Sequence, residues 1–185
     1  MKLYEKAKTS QWNASTDLDW SIDVDPEKVA DELGQGGTAR LQALAEAEDS
    51  PVKHFGDKEW RKVGIELQNS LLSQFMHGEQ GALLCTARIV ETVPWIDAKY
   101  YAATQVVDEA RHVEVFARYL DDKLGTQYGI NENLKGILDD ILSDPRWDIA
   151  YLGMQIMVEG LALAAFGLMQ QITTEPLLKK LLRYV

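Results

Sequence analysis

The chain of 185 residues carries 29 acidic against 19 basic side chains, a formal charge of −10, and 46% hydrophobic residues, including five Trp, seven Tyr and four Phe. That length is one domain, or one with a small extension, and long enough to bury a real core. The composition excludes a disordered chain, and the acidic balance argues against a nucleic-acid partner, because phosphate binding needs basic groups.

One cysteine, Cys85, excludes an internal disulfide framework and suits a reducing cytoplasm. The start, Met1-Lys2-Leu3-Tyr4-Glu5-Lys6, has no apolar core of the kind a signal peptide needs. No run reaches 18 apolar residues, since Glu159 breaks the longest candidate, Ile156 to Met169. The expectation is a cytoplasmic protein with no membrane segment.

Residues 1–25 read as polar and irregular, with Trp12 and Trp20 as anchors on a core built elsewhere. Asp25-Pro26-Glu27 opens a short helix, a capping acid followed by proline, that ends near Gly34. Gly36-Gly37 breaks it, Thr38 caps a second short helix through about Glu48, and Ser50-Pro51 and Gly56 punctuate a loop. From Asp57, an expected N-cap, the chain runs to Val93 without a proline. Its apolar residues recur at helical spacing: Trp60, Val63, Leu67, Leu71, Phe75, Ala82 or Leu83, Thr86 and Val90. Glu79 fills the one hole in that stripe.

Pro94 separates this helix from a second long one reaching about Leu124. Ile96, Tyr100, Ala103, Phe116 and Leu120 share a face that also takes Glu109 and His112, and Gly125 is a natural stop. Asn131 or Asn133 caps a short helix through Leu142, and Asp144-Pro145 opens a third long helix. Its face, Leu152, Ile156, Ala162, Phe166 and Met169, is again interrupted by one acid, Glu159. Thr173-Thr174-Glu175-Pro176 starts a fourth helix, Leu177 to Val185. No segment alternates as a strand does. The class is all-α, with residues 57–185 as a helical bundle and residues 1–56 as an irregular segment with short helices packed on it.

Glu109-x-x-His112 places a carboxylate and an imidazole one turn apart on one helix face, where both can grip one cation. Alone the pair is weak, arising in on the order of one in five chains of this length. A Glu on a core-facing stripe is costly unless it is paired or binds a metal, and here three such acids interrupt three helices. Glu79 stands 15 residues before Pro94 and Glu109 15 after it. In a hairpin turning at Pro94, each lies roughly 22 Å from the turn, so they face each other at one height. Glu159 is 14 residues past Pro145, about 21 Å along its own helix. Oxygen-rich donors with one imidazole suit iron or manganese better than zinc or copper.

Gly78-Glu79-x-x-Ala82, then Asp108-Glu109-x-Arg111-His112, then Glu159, resembles the ferritin-like di-iron carboxylate oxygenases. That superfamily includes bacterial multicomponent monooxygenase hydroxylases and ribonucleotide reductase small subunits. The resemblance spans residues 57–185 and implies a ferritin-like four-helix bundle. It implies two iron ions, with manganese possible at either position: Glu79 as terminal carboxylate, Glu109 as bridge, His112 on the first metal and Glu159 on the second. It further implies that Asp108 hydrogen-bonds a ligand histidine, whereas the local reading is an i,i+3 ion pair of Asp108 with Arg111.

Gln105 and Gln155, each four residues before a proposed ligand, are candidates to line the pocket. His77 and His54 are not expected to be ligands. Phe75, Phe116, Leu163 and Phe166 would line a pocket for a small apolar or aromatic substrate. The function implied is an O2-dependent oxygenase or oxidase with a possible reductase partner. The alternatives are a ferritin-like metal-binding or iron-storage protein and a structural helical module.

Phe116 stands where radical-generating reductase subunits have tyrosine, and Leu163 where multicomponent hydroxylases have a pocket threonine. The first departure disfavours a tyrosyl-radical generator, and with the second an N-oxygenase-like or uncharacterised branch fits as well as the multicomponent hydroxylases. The family's second Glu-x-x-His, on the fourth helix, has no counterpart up to Val185. The expectation is a fourth helix incomplete in this chain, completed by a missing C-terminal part or by a homo-oligomer.

Overall fold

Side-chain caps and prolines set where the helices begin. Asp25 accepts from the backbone N–H groups of Glu27 at 3.0 Å and Lys28 at 3.4 Å, with Pro26 in the first position. Asn131 accepts from Leu134 at 2.9 Å. Glu175 accepts from Leu177 at 2.8 Å and Leu178 at 2.6 Å, ahead of Pro176. At the start of the longest helix the cap is Gly56 rather than Asp57, and the Glu59 carboxylate accepts from the Gly56 N–H at 3.0 Å.

The computed structural model describes residues 2–185, apart from the side chains of residues 34–37. Among the described residues it is all-α, with no strand. In chain order the helices are α1 (Lys2–Thr9), α2 (Pro26–Ala45), α3 (Asp57–Thr92), α4 (Ile96–Tyr119), α5 (Glu132–Ser143), α6 (Trp147–Ala150), α7 (Glu159–Ile172) and α8 (Pro176–Tyr184). A π-helical turn, Leu120–Leu124, extends α4, and a longer one, Tyr151–Val158, joins α6 to α7. Gly125, with φ 71°, ends the first of these in the left-handed conformation.

Several expectations are corrected. Residues 2–9 are helical, not irregular. One 20-residue helix, α2, replaces the two short ones, and Thr38 lies inside it rather than at a cap. A glycine in a helix costs only about 1 kcal/mol, and packing of α2 along α3 outweighs that. The expected break at Gly36-Gly37 lies among the residues whose side chains are not described. The buried stripe of α3 is turned by one residue: Gln68, Leu72 and Met76 are buried, while Leu67 and Leu71 are each 41% exposed. Helices α2 and α4 grip α3 from two sides, so its buried strip is broad and accepts Gln68, Asn69 and Ser73.

On α4, Ile96, Tyr100 and Ala103 are exposed, while Phe116 and Leu120 are buried. On the third long helix Leu152 and Ile156 are exposed, whereas Phe166 and Met169 are buried. The π turns explain the latter error, because their wider turn puts residues before Glu159 out of phase with a 3.6-residue reading.

The core falls into two clusters. One joins Leu72 and Met76 of α3 to Phe116 and Tyr119 of α4, Phe166 of α7, and Leu178 and Leu181 of α8. The other joins Ala82, Cys85 and Ile89 to Ala102, Leu138, Ile141 and Met154. Between them, at the level of Glu79, Glu109 and Glu159, runs a polar layer. Helix α5 lies close over α3 because Gly81 has no Cβ, which would stand 2.5 Å from Leu138 Cδ2.

Where α8 begins, Tyr119 donates to Glu175 at 3.0 Å, both fully or nearly buried. Burial, followed by the Glu175 charge, pushes the Tyr119 phenol up. Glu175→Ala removes a two-bond cap and orphans a buried hydroxyl. It is expected to cost about 2–4 kcal/mol, read as a lower urea midpoint, while Glu175→Gln, which keeps an acceptor, retains most of that stability.

Candidate metal centre

Glu79 points from the middle of α3 and Glu109 from the middle of α4, each only 3% exposed. His112, one turn beyond Glu109, completes a group whose donor atoms all lie within 4.8 Å of one another. A cation bonded to oxygen or nitrogen at about 2.0–2.4 Å bridges separations of that size. His112 Nδ1 sits 3.1 Å from Glu79 Oε2 and 3.3 Å from Glu109 Oε2. One ring nitrogen carries at most one proton, and the hydrogen bond goes to Glu79. Glu109 Oε2 is left buried with no hydrogen-bond partner.

The other oxygen of Glu109 is fixed. Gln105 Nε2 donates to Glu109 Oε1 at 3.0 Å and also to Gln155 Oε1, and Gln155 Nε2 donates to Thr86 Oγ1 at 3.1 Å. This chain of amides ties α4, the second π turn and α3 together across the polar layer. It turns Glu109 so that its free oxygen faces His112 and Glu79.

Glu159 faces the same groove but stands outside the tight trio, and it is half-buried. Burial, then the charges of Glu109 and Glu79, lift its carboxyl to about 8. Burial alone would lower the His112 imidazole, but the two carboxylates beside it, Glu109 and Glu79, outweigh that and lift the group to about 9. Burial raises Glu79 despite His112. Burial works the same way on Glu109, yet His112, Glu79 and Gln105 together bring it below the usual carboxylate range. A cationic imidazole thus holds together carboxylates that repel one another, the place a metal ion would take.

The remaining sequence candidates fall variously. Asp108 pairs with Arg111, as the local reading expects. Arg111 also donates to Gln11 Oε1 at 2.8 Å and to the Trp12 carbonyl at 2.9 Å, which pins the N-terminal segment onto α4. His77 bonds Gln80 and the Tyr128 carbonyl, and His54 packs on Phe55. Of the four apolar residues expected to line a pocket, Leu163 does so. Phe75, Phe116 and Phe166 instead form an aromatic group in the core, with ring centroids 4.8–6.2 Å apart.

Sequence reasoning overlooked Trp12 as a site residue. Its ring stacks 6.5 Å from the His112 ring and 4.8 Å from Tyr184. No spacing relates a loop tryptophan to a histidine 100 residues away. Glu109, His112, Glu159, Gln105, Gln155 and Trp12 are among the walls of a groove of about 810 Å³ that opens between α4 and the α6–α7 helix. Compared with protein-family models, with curated proteins and with solved structures, the chain matches none.

Proposed function

We propose that the chain is a ferritin-like helical bundle that binds iron, with manganese as a possible substitute, and that it works as an O2-dependent di-iron carboxylate oxidoreductase in the cytoplasm. The observation that carries the reading is the buried, unpartnered oxygen of Glu109, turned toward Glu79 and His112 in a polar layer between two apolar clusters. A buried acceptor left unmatched costs about 1–3 kcal/mol, and a cation is the partner this donor set fits. Glu79, Glu109 and His112 would hold the first metal, and Glu159 would contribute to the second.

Held by Glu79, Glu109, His112 and Glu159, ferrous iron would supply the electrons for O2 reduction. The chain's own residues do the rest. Gln105 fixes one oxygen of Glu109, leaving the other for metal. Gln155 carries that constraint to Thr86 on α3. Trp12, whose carbonyl accepts from Arg111, stands beside His112 with its ring nearly parallel to the imidazole. Leu163 and Tyr101 offer apolar wall to a small organic substrate. Space for such a substrate beside the trio favours an oxidoreductase over a storage protein. Electrons for repeated turnover would come from a reductase partner.

Metal analysis of protein purified from iron-supplemented cells, with anomalous scattering at the iron edge, tests the reading together with O2 uptake by the ferrous form. One to two irons per chain at Glu109 and His112, with O2 consumed, is the expected result. Tens of irons per chain would assign storage instead. A protein that retains no metal, and whose melting temperature ignores added Fe(II) and Mn(II), overturns the reading.

A further inference from the structure

The helix from Trp147 to Ile172 carries its apolar residues on both sides. Its inner side packs in the core through Met154, Phe166 and Met169. Its outer side presents Leu152, Ile156, Met157, Leu161, Leu163 and Leu168, exposed by 49% to 74%. A helix apolar all round is buried in a core or a membrane, yet only 17% of the residues in the most apolar 18-residue stretch of this one are buried. The six side chains expose on the order of 700 Å², beyond the largest patch usual on a monomer and near the roughly 800 Å² each partner brings to a standard interface.

Two further features narrow the occupant. Gly160 and Gly167 have nothing within 4 Å of where a Cβ would stand. Neither is required by packing within the chain, and each weakens a helix by about 1 kcal/mol relative to alanine. A second backbone approaching closely at that level gives them a purpose. Met157, Leu161, Ala164 and Leu168 then follow the 4-3-4 spacing of a helix-pairing seam. The seam is symmetric about the level between Ala162 and Leu163, so on an antiparallel copy Met157 meets Leu168 and Leu161 meets Ala164. The seam bears no charge, so the −10 of each chain does not oppose contact there.

We propose that a second copy of this chain covers this face, α7 against α7 in antiparallel register about a two-fold axis level with Ala162 and Leu163. The partner helix buries the outer side of α7 and walls the groove along its Leu163 edge. The inference goes beyond the metal reading and does not require it.

Sedimentation equilibrium of metal-free protein between 1 and 50 μM tests it, because association is then read without the metal. The expected mass is twice 20.8 kDa. Leu161→Lys combined with Leu168→Lys should return it to one chain, with the far-ultraviolet helix signal unchanged. A chain carrying both Leu161→Cys and Ala164→Cys, which face one another across that axis, should oxidise to a cross-linked pair of chains, whereas Lys135→Cys on α5 should not. If the double-lysine variant fails to fold, the cross-linking contrast alone decides. A single-chain mass at 50 μM, open-ended aggregation, or equal cross-linking of the α7 and α5 cysteine variants overturns the proposal. A single-chain protein that binds vesicles of phosphatidylcholine through this helix also overturns it, assigning the face to a membrane.

Discussion

Glu109→Ala is expected to abolish metal-dependent stabilisation while leaving the metal-free protein folded. Wild-type protein with Mn(II) at about 100 times its dissociation constant should gain roughly 2.7 kcal/mol, a rise of about 5–10 °C in melting temperature for a chain of this size. Loss of a direct ligand should exceed the ~10–100-fold affinity cost of changing an outer hydrogen-bond partner, so the variant should show no rise at the same Mn(II). Glu159→Leu makes the complementary case. Its carboxyl is half-buried and repelled by Glu109 and Glu79, so removing it should raise the melting temperature of the metal-free protein and lower metal stoichiometry. A purely structural acid would show the opposite stability change.

The pH dependence has a definite sign. Glu159 is lifted to about 8 and His112 to about 9. Between their ordinary values and those raised ones, the folded protein holds more protons than the unfolded chain. Metal-free stability should therefore fall from about pH 4.5, through Glu159, and more steeply from about pH 6.5, where His112 joins it, to about pH 9. Glu109, moved the other way, contributes stability that is present above its ordinary pKa and lost as the pH falls below it. Bound metal replaces the protons and should flatten the decline. Melting curves at several pH values, with and without Mn(II), check this. A metal-free profile that climbs across that interval contradicts the assigned electrostatics.

The trio was legible in the sequence because it rests on counting along two regular helices. Fifteen residues on each side of Pro94 put Glu79 and Glu109 at one level, and a three-residue step put His112 on the same face. Helical geometry is the same in every chain, so such arithmetic transfers. The phase of the buried stripes did not transfer. On α3 it depends on which neighbours grip the helix, and polar Gln68 and Asn69 take core positions that a hydrophobicity pattern gives to Leu67 and Leu71. Glu159 was placed by an α-helical count, but the π turns over Tyr151–Val158 alter the rotation of that segment. It reaches the groove without joining the trio. Trp12 and its tie to Arg111 depend on how a loop folds back over α4, which no local pattern records.

Phe116→Ala should be the most destabilising single change in the core near the site. Its ring is fully buried, with centroids 5.6 Å from Phe166 and 6.2 Å from Phe75. Truncation removes both buried area and aromatic contacts and leaves a cavity walled by three helices that cannot all close on it. The expected cost is about 3–5 kcal/mol, a large share of the roughly 5–15 kcal/mol that holds a domain folded. The melting temperature should drop by roughly 6–20 °C. Phe116→Leu should lose a fraction of that. Phe116→Tyr, which sets a hydroxyl among Phe75 and Phe166, should cost about 1–3 kcal/mol for an unmatched buried group. Metal affinity separates packing from ligation. Phe116 lies four residues past His112 on α4 but in the apolar cluster beside the polar layer, so molecules of Phe116→Ala that remain folded at low temperature should bind Mn(II) within about threefold of wild type. A collapse in affinity at full folding would mean that the aromatic group holds His112 in place and that the two layers are coupled.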